Sequence, residues 1–223
     1  MLWTTLVGGL LLTLLILGAV VFAGSKSVIS MGNVSLTALP DNIASGYFLP
    51  LKSGGLIDPL LVKSLGFEPV GAYDMAGGPA PTLIVAWRKP EEDTFFCVYQ
   101  VADQKVTDYI TLSQDGMLTT GSNKGGQLLP VKEGHYIQTF ETVAITELWR
   151  KHEGALKLLA QRAAFTPRTP SGKFPDILER SVREQVAAVK ELPMWPAYMP
   201  YWFFVRQNMR HDKSIKKLYP ELS

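Results

Sequence analysis

The sequence predicts an α+β fold: an N-terminal single transmembrane helix followed by a mainly antiparallel sheet packed by C-terminal helices. Three observations predict it. Met1 to Ser25 carries no charged side chain, and Lys26 is the first. Between residues 67 and 120, strand-like runs follow one another across gaps too short for parallel crossovers. Beyond residue 142 the apolar spacing becomes helical, and strands first with helices later is the α+β pattern.

The leader comes first. Leu6 to Ala23 is almost entirely Leu, Val, Gly, Ala, Ile and Phe, and about 20 such residues cross roughly 30 Å of hydrocarbon. Trp3 stands where an interfacial aromatic belongs. A retained anchor over residues 3–24 is the favoured reading. A signal peptide cleaved after Ala23 is the competing one, because Val21 and Ala23 are the small residues such cleavage uses. The anchor is favoured because Met1 to Thr5 has no basic side chain and the apolar run exceeds a signal peptide's usual core. Lys26 at the C-terminal flank leans the domain to the cytoplasmic side; an exported domain is the close alternative.

The remaining chain is read as a tether over 26–33, an α+β domain over 34–210 and a basic tail over 211–223. Val34 to Leu39 alternates like a strand. Asp58-Pro59 is an N-cap followed by proline, so a short helix is expected to run to Leu65 and end at Gly66. Strands are predicted over Phe67–Tyr73, Thr82–Arg88, Thr94–Val101, Val106–Leu112, Met117–Thr120 and Tyr136–Phe140. Ala102 to Gln104 is a turn, and Asp115-Gly116 is expected as a two-residue hairpin loop. Helices are predicted over Thr142–Ala164 and Asp176–Leu192, each with an apolar stripe at helical spacing.

Composition removes several functions. Twenty-two basic against 20 acidic residues leave a net charge of +2, so no nucleic-acid partner is implied. Cys97 is the only cysteine; no disulfide can form within the chain, and an apolar strand around Cys97 makes it a buried, inert thiol. Neither C-x-x-C nor H-E-x-x-H occurs, so no metal site is expected. Gly121 to Gly126 lacks the Lys-Ser/Thr that must follow the second glycine of a phosphate loop. No G-x-S-x-G elbow exists. His152 is the most eligible catalytic side chain, but it lies on the apolar seam of its helix, where a satisfied core histidine is expected. Neither a catalytic residue nor a cofactor is assigned.

One segment is not explained by composition alone, and two readings compete for it: a buried final helix with a solvated tail, or an interaction surface. Met194 to Val205 is nearly continuously apolar and aromatic, and basic residues from Arg206 to Lys217 follow. Trp195, Tyr198, Tyr201, Trp202, Phe203, Arg206 and Arg210 are therefore the expected interaction surface, since Trp, Tyr and Arg dominate binding hot spots and Tyr and Trp favour membrane interfaces. The function this implies is a membrane-anchored, non-enzymatic accessory or scaffold subunit. Its partners are membrane lipid through residues 3–24 and other proteins of a membrane complex. The alternative is a membrane-tethered enzyme or small-ligand binder with His152 near a pocket.

Overall fold

The computed structural model describes residues 2–53, 55–78, 80–123, 129–141 and 143–222; the side chains of residues 2–12, Leu14 and Lys52 are not described. Helix α1 spans Leu2–Met31. Strand β1 (Ser35–Ala38) leads through α2 (Asp41–Tyr47) and α3 (Pro59–Ser64) to β2 (Glu68–Ala76), β3 (Thr82–Arg88), β4 (Thr94–Val101), β5 (Gln104–Leu112), β6 (Met117–Gly121) and β7 (His135–Thr139). Two long helices follow, α4 (Ile145–Arg162) and α5 (Phe174–Glu191). The chain ends in α6 (Trp195–Tyr201), a π-helical turn (Trp202–Arg206), α7 (Gln207–Arg210) and α8 (Ile215–Leu218).

The α+β class holds, with one seven-stranded sheet in the order β1-β2-β3-β4-β5-β6-β7. Five of its pairings are antiparallel, and β6 pairs β7 in parallel. The local details follow from residue chemistry. Asp58 accepts the Leu60 amide at 3.0 Å and Pro59 opens α3, while Gly66 closes it at φ +84°. Pro69 is tolerated because the β2–β3 register slips between Pro69 and Gly71, where β1 no longer pairs. Asp115-Gly116 does join β5 to β6, but in a four-residue loop in which the Ser113 amide donates to the Gly116 carbonyl. The two-residue loop is Ala102-Asp103 instead, with Ala102 held left-handed at φ 51°.

Residues 26–31, expected as a tether, continue α1 without a break. Burial explains the difference. Val28 and Met31 are buried among Val186, Val189, Met199 and Trp202, so the helix is held to the domain by its own side chains. The Ser30 hydroxyl also donates to the Gly77 carbonyl at 2.8 Å. Gly77 takes φ +82°, and a side chain there would collide with the Asn33 backbone. Residues 13 and 15–19 are exposed all round, with Leu15 70% exposed. Among the described residues no helix is long and apolar enough to cross a membrane. The expected span over 3–24 lies partly outside the described side chains.

The sheet is covered on both faces. Helix α4 lies on the face of Trp87, Phe96 and Tyr109, with Leu148 and Trp149 in the same cluster. Helix α5 brings Phe174 and Ile177 against Ile84, Phe95 and Ile110 on the other face. Both sheet edges are capped. On β1 the Leu36 amide donates to Glu179. On β7 the Ile137 amide donates to the Tyr219 hydroxyl, and the Asp212 amide donates to the Thr139 carbonyl. The segment read as a basic tail docks on β7 and α4, burying Ile215 and Leu222.

Candidate functional site

The aromatic segment begins at a left-handed Met194 (φ 52°), which turns the chain after α5 into α6. Pro196 stands in the first turn, where its missing N–H costs nothing. Pro200 lies inside the helix and removes an internal donor. The next turn is a π-helix, closed by the Gln207 amide on the Trp202 carbonyl.

This geometry sorts side chains that are alike in sequence. Met199 and Trp202 are buried against α1 and α5, with Trp195, Tyr198 and Phe203 packed around them. Gly24 of α1 is the meeting point: a Cβ there would sit 3.6 Å from the Met199 Cβ and 3.8 Å from the Pro200 Cδ. Arg210 is held inward, donating to the Tyr219 hydroxyl at 2.9 Å with its guanidinium 5.2 Å from that ring's centre. Of the seven expected interaction residues, only Tyr201 and Arg206 are exposed. Beside them lie Phe204 (69% exposed), Val205 (41%) and Met209 (54%), which were not in the expected set. Their signal was present in the spacing. Positions 201, 204/205 and 208/209 repeat at helical intervals, in the opposite phase to 195, 198/199 and 202.

His152 is fully buried and satisfied at both nitrogens. Nε2 lies 2.8 Å from the Thr111 hydroxyl and Nδ1 2.9 Å from the Thr120 hydroxyl. One nitrogen donates and the other accepts, and the hydroxyls complete either arrangement. The relay continues to Thr94 at one end (2.9 Å from Thr111) and to Gln138 at the other, whose amide donates to Thr120 at 3.0 Å. Gln138 then accepts the Ile215 amide at 3.0 Å. Burial first, then nearby Lys89, lowers the His152 pKa to about 3, so the ring is neutral. Its neighbours are Trp149, stacked at 5.5 Å, and Tyr109 at 5.8 Å.

Two cavities flank the 113–116 loop, and His152 lines neither. The larger, about 350 Å³, is bordered by Lys132, His135, Arg168, Arg180, Ser181 and Glu184. Its charges are mostly spent. Lys132 pairs with Glu184 at 3.2 Å, and Arg168 donates to the fully buried Asp93 at 2.7 Å. Arg88 and Ser171 also hold Asp93, so this aspartate is an ionic hub joining β3, β4 and the chain before α5. Ser181 donates to the Met117 sulfur at 3.4 Å. His135 is kept neutral by burial and then Lys132, with its pKa near 4, and its Nδ1 has no partner.

Two other groups complete the inventory. Cys97 is buried as expected, and burial pushes its thiol far above the ordinary range. Asp108, paired with it across β4 and β5, is 7% exposed with Oδ1 unpartnered, and burial raises its pKa to about 7. Among the described residues no group of three or more His, Cys, Asp or Glu could hold a metal ion. No family model, curated protein or solved structure matches this chain.

Proposed function

We propose that the protein is a membrane-anchored, non-enzymatic accessory or scaffold subunit, held by α1 and engaging other membrane components through that helix and the C-terminal aromatic surface. The observation that carries this is the division of α1. Its second half is fastened to the domain, burying Val28 and Met31, while residues 15–19 are exposed. Leu15, Ile16 and Leu17 are exposed in series on a helix whose preceding residues are equally uncharged. A soluble surface rarely carries such a patch without a use; hydrocarbon or another apolar helix satisfies it. The close pairing of α1 and α6 at Gly24 resembles the small-residue contacts of membrane helices. His152, the residue on which an enzyme reading would rest, is enclosed in a satisfied structural relay.

Lys26 at the C-terminal flank leans the domain to the cytoplasmic side, with an exported domain as the close alternative. Alkaline carbonate extraction of membranes from cells producing the full chain, with intact-mass analysis of the purified protein, tests the anchor. The expected result is retention in the pellet with Met1-to-Ser223 mass, less at most the initiator methionine. Release into the supernatant, or a mature form starting at Gly24, would overturn it. Protease protection of sealed vesicles then reports the side.

A further inference from the structure

We propose that the exposed face of the α6–α7 segment, formed by Tyr201, Phe204, Val205 and Met209, lies in the headgroup layer of an anionic bilayer, with Arg206 on lipid phosphate. The inference rests on the anchor reading and adds a second, monotopic contact to it.

Position comes first. Met199 and Pro200 meet α1 at Gly24, the residue after the apolar run ends at Ala23 and two before the first charge at Lys26. If residues 3–24 cross hydrocarbon, that crossing point is the boundary between hydrocarbon and water. At 1.5 Å rise per residue, Gly24 and Lys26 differ by only about 3 Å in height. The segment therefore leaves α1 at headgroup depth.

The segment also has two apolar faces. Trp195, Met199 and Trp202 are consumed by packing on α1 and α5. A helix with only that task needs a polar outer face. This one presents Tyr201, Phe204, Val205 and Met209, with Arg206 and Asn208 exposed among them. The patch begins at Tyr201, in the helix that packs on α1, and α1 itself exposes Leu15, Ile16, Leu17, Phe22 and Ile29.

Charge decides between lipid and a protein groove. Arg206 is exposed within the patch, and exposed Lys213 and Lys217 follow it. Basic residues bordering a shallow apolar strip match an interfacial helix on anionic lipid. Each basic residue near such a surface strengthens attachment, and the gain is screened by salt.

The test uses the full chain in nanodiscs, spin-labelled singly at Phe204→Cys, Met209→Cys, Leu15→Cys or Glu91→Cys. Cys97 is buried and stays unlabelled. The readout is the ratio of oxygen to nickel-chelate accessibility. In discs containing phosphatidylglycerol, the ratios at 204 and 209 should exceed that at 91 several-fold, and the ratio at 15 should be higher still. In phosphatidylcholine discs, or with Arg206→Gln, the ratios at 204 and 209 should fall towards the value at 91 while 15 is unchanged. A lipid-like value at 15 with water-like values at 204 and 209 would overturn the headgroup contact and leave the anchor standing. Labels at 204 and 209 shielded from both reagents, or coupled between copies, would show that protein covers the patch and would also overturn it. A water-like value at 15 would overturn the anchor itself.

Discussion

The two faces of the sheet treat polar groups in opposite ways. On the α4 face, Thr94, Thr111, His152, Thr120 and Gln138 form one connected relay among aromatic rings, and both histidine nitrogens are used. On the α5 face, Asp108 and His135 are nearly as buried, yet each keeps an atom without a partner. A satisfied buried network fixes a single packing, whereas an orphaned buried group costs stability that other contacts must offset. The α4 face is therefore the rigid half. The α5 face, which continues into α1 and α6, carries the unresolved polar groups.

The largest expected effect breaks the rigid half. Phe96 is fully buried between Trp87 and Tyr109, with ring centres 5.4 Å and 4.8 Å away. Phe96→Ala should cost about 3–5 kcal/mol in chemical denaturation. A loss below 1 kcal/mol would mean that this face does not dominate stability.

Asp108→Asn should act in the other direction. A carboxyl with its pKa raised from 3.8 to about 7 binds more protons folded than unfolded across that window. Wild-type stability from this group is thus full near pH 4, falls as pH rises to about 7 and stays low above it. The variant should be more stable than wild type at pH 8 by on the order of 3 kcal/mol, and about equal at pH 4. Thermal melts at the two pH values check this, and a variant destabilised equally at both would remove the contrast between the faces.

His152→Leu should cost about 2–3 kcal/mol at pH 7, by leaving the Thr111 and Thr120 hydroxyls each one partner short. Here the pH dependence reverses. A histidine lowered from 6.5 to about 3 binds fewer protons folded, so its contribution is present above pH 6.5 and lost as pH falls towards 3. The difference between wild type and variant should narrow in acid. Smallest of all, Ala102→Gly should stabilise by about 0.5–1 kcal/mol, since glycine takes φ 51° without a Cβ penalty.

How much of this was legible in the sequence depended on how local the cause was. β3 and β4 were predicted with the bounds they have, because Leu-Ile-Val-Ala-Trp and Phe-Phe-Cys-Val-Tyr are separated by the polar Lys-Pro-Glu-Glu-Asp turn and bounded by a Gly/Pro loop before and Ala102-Asp103 after. The Asp58 cap was likewise a matter of adjacent residues. The parallel β6–β7 pairing was not readable, because nothing near residue 135 specifies which strand it will meet. Nor was the hub at Asp93, whose partner Arg168 is 75 residues away. The aromatic surface was located but its two sides were not separated: a run apolar all round has no phase until a neighbour, here α1 at Gly24, selects one.

The capping of β1 by Glu179 and of β7 by Tyr219 and Asp212 has a consequence for how many copies can share a surface. If the proposed anchor holds, molecules restricted to two dimensions would collide far more often than the same number in solution, and their common orientation would bring like edges side by side. An open strand edge under those conditions templates strand exchange between neighbours. Here one edge is short and stapled by a helix carboxylate, and the other is overlaid by the chain's own last residues. Dense populations can therefore jostle without zipping into sheets. Shortening the chain before Asp212 would uncover β7 and make crowding itself the hazard.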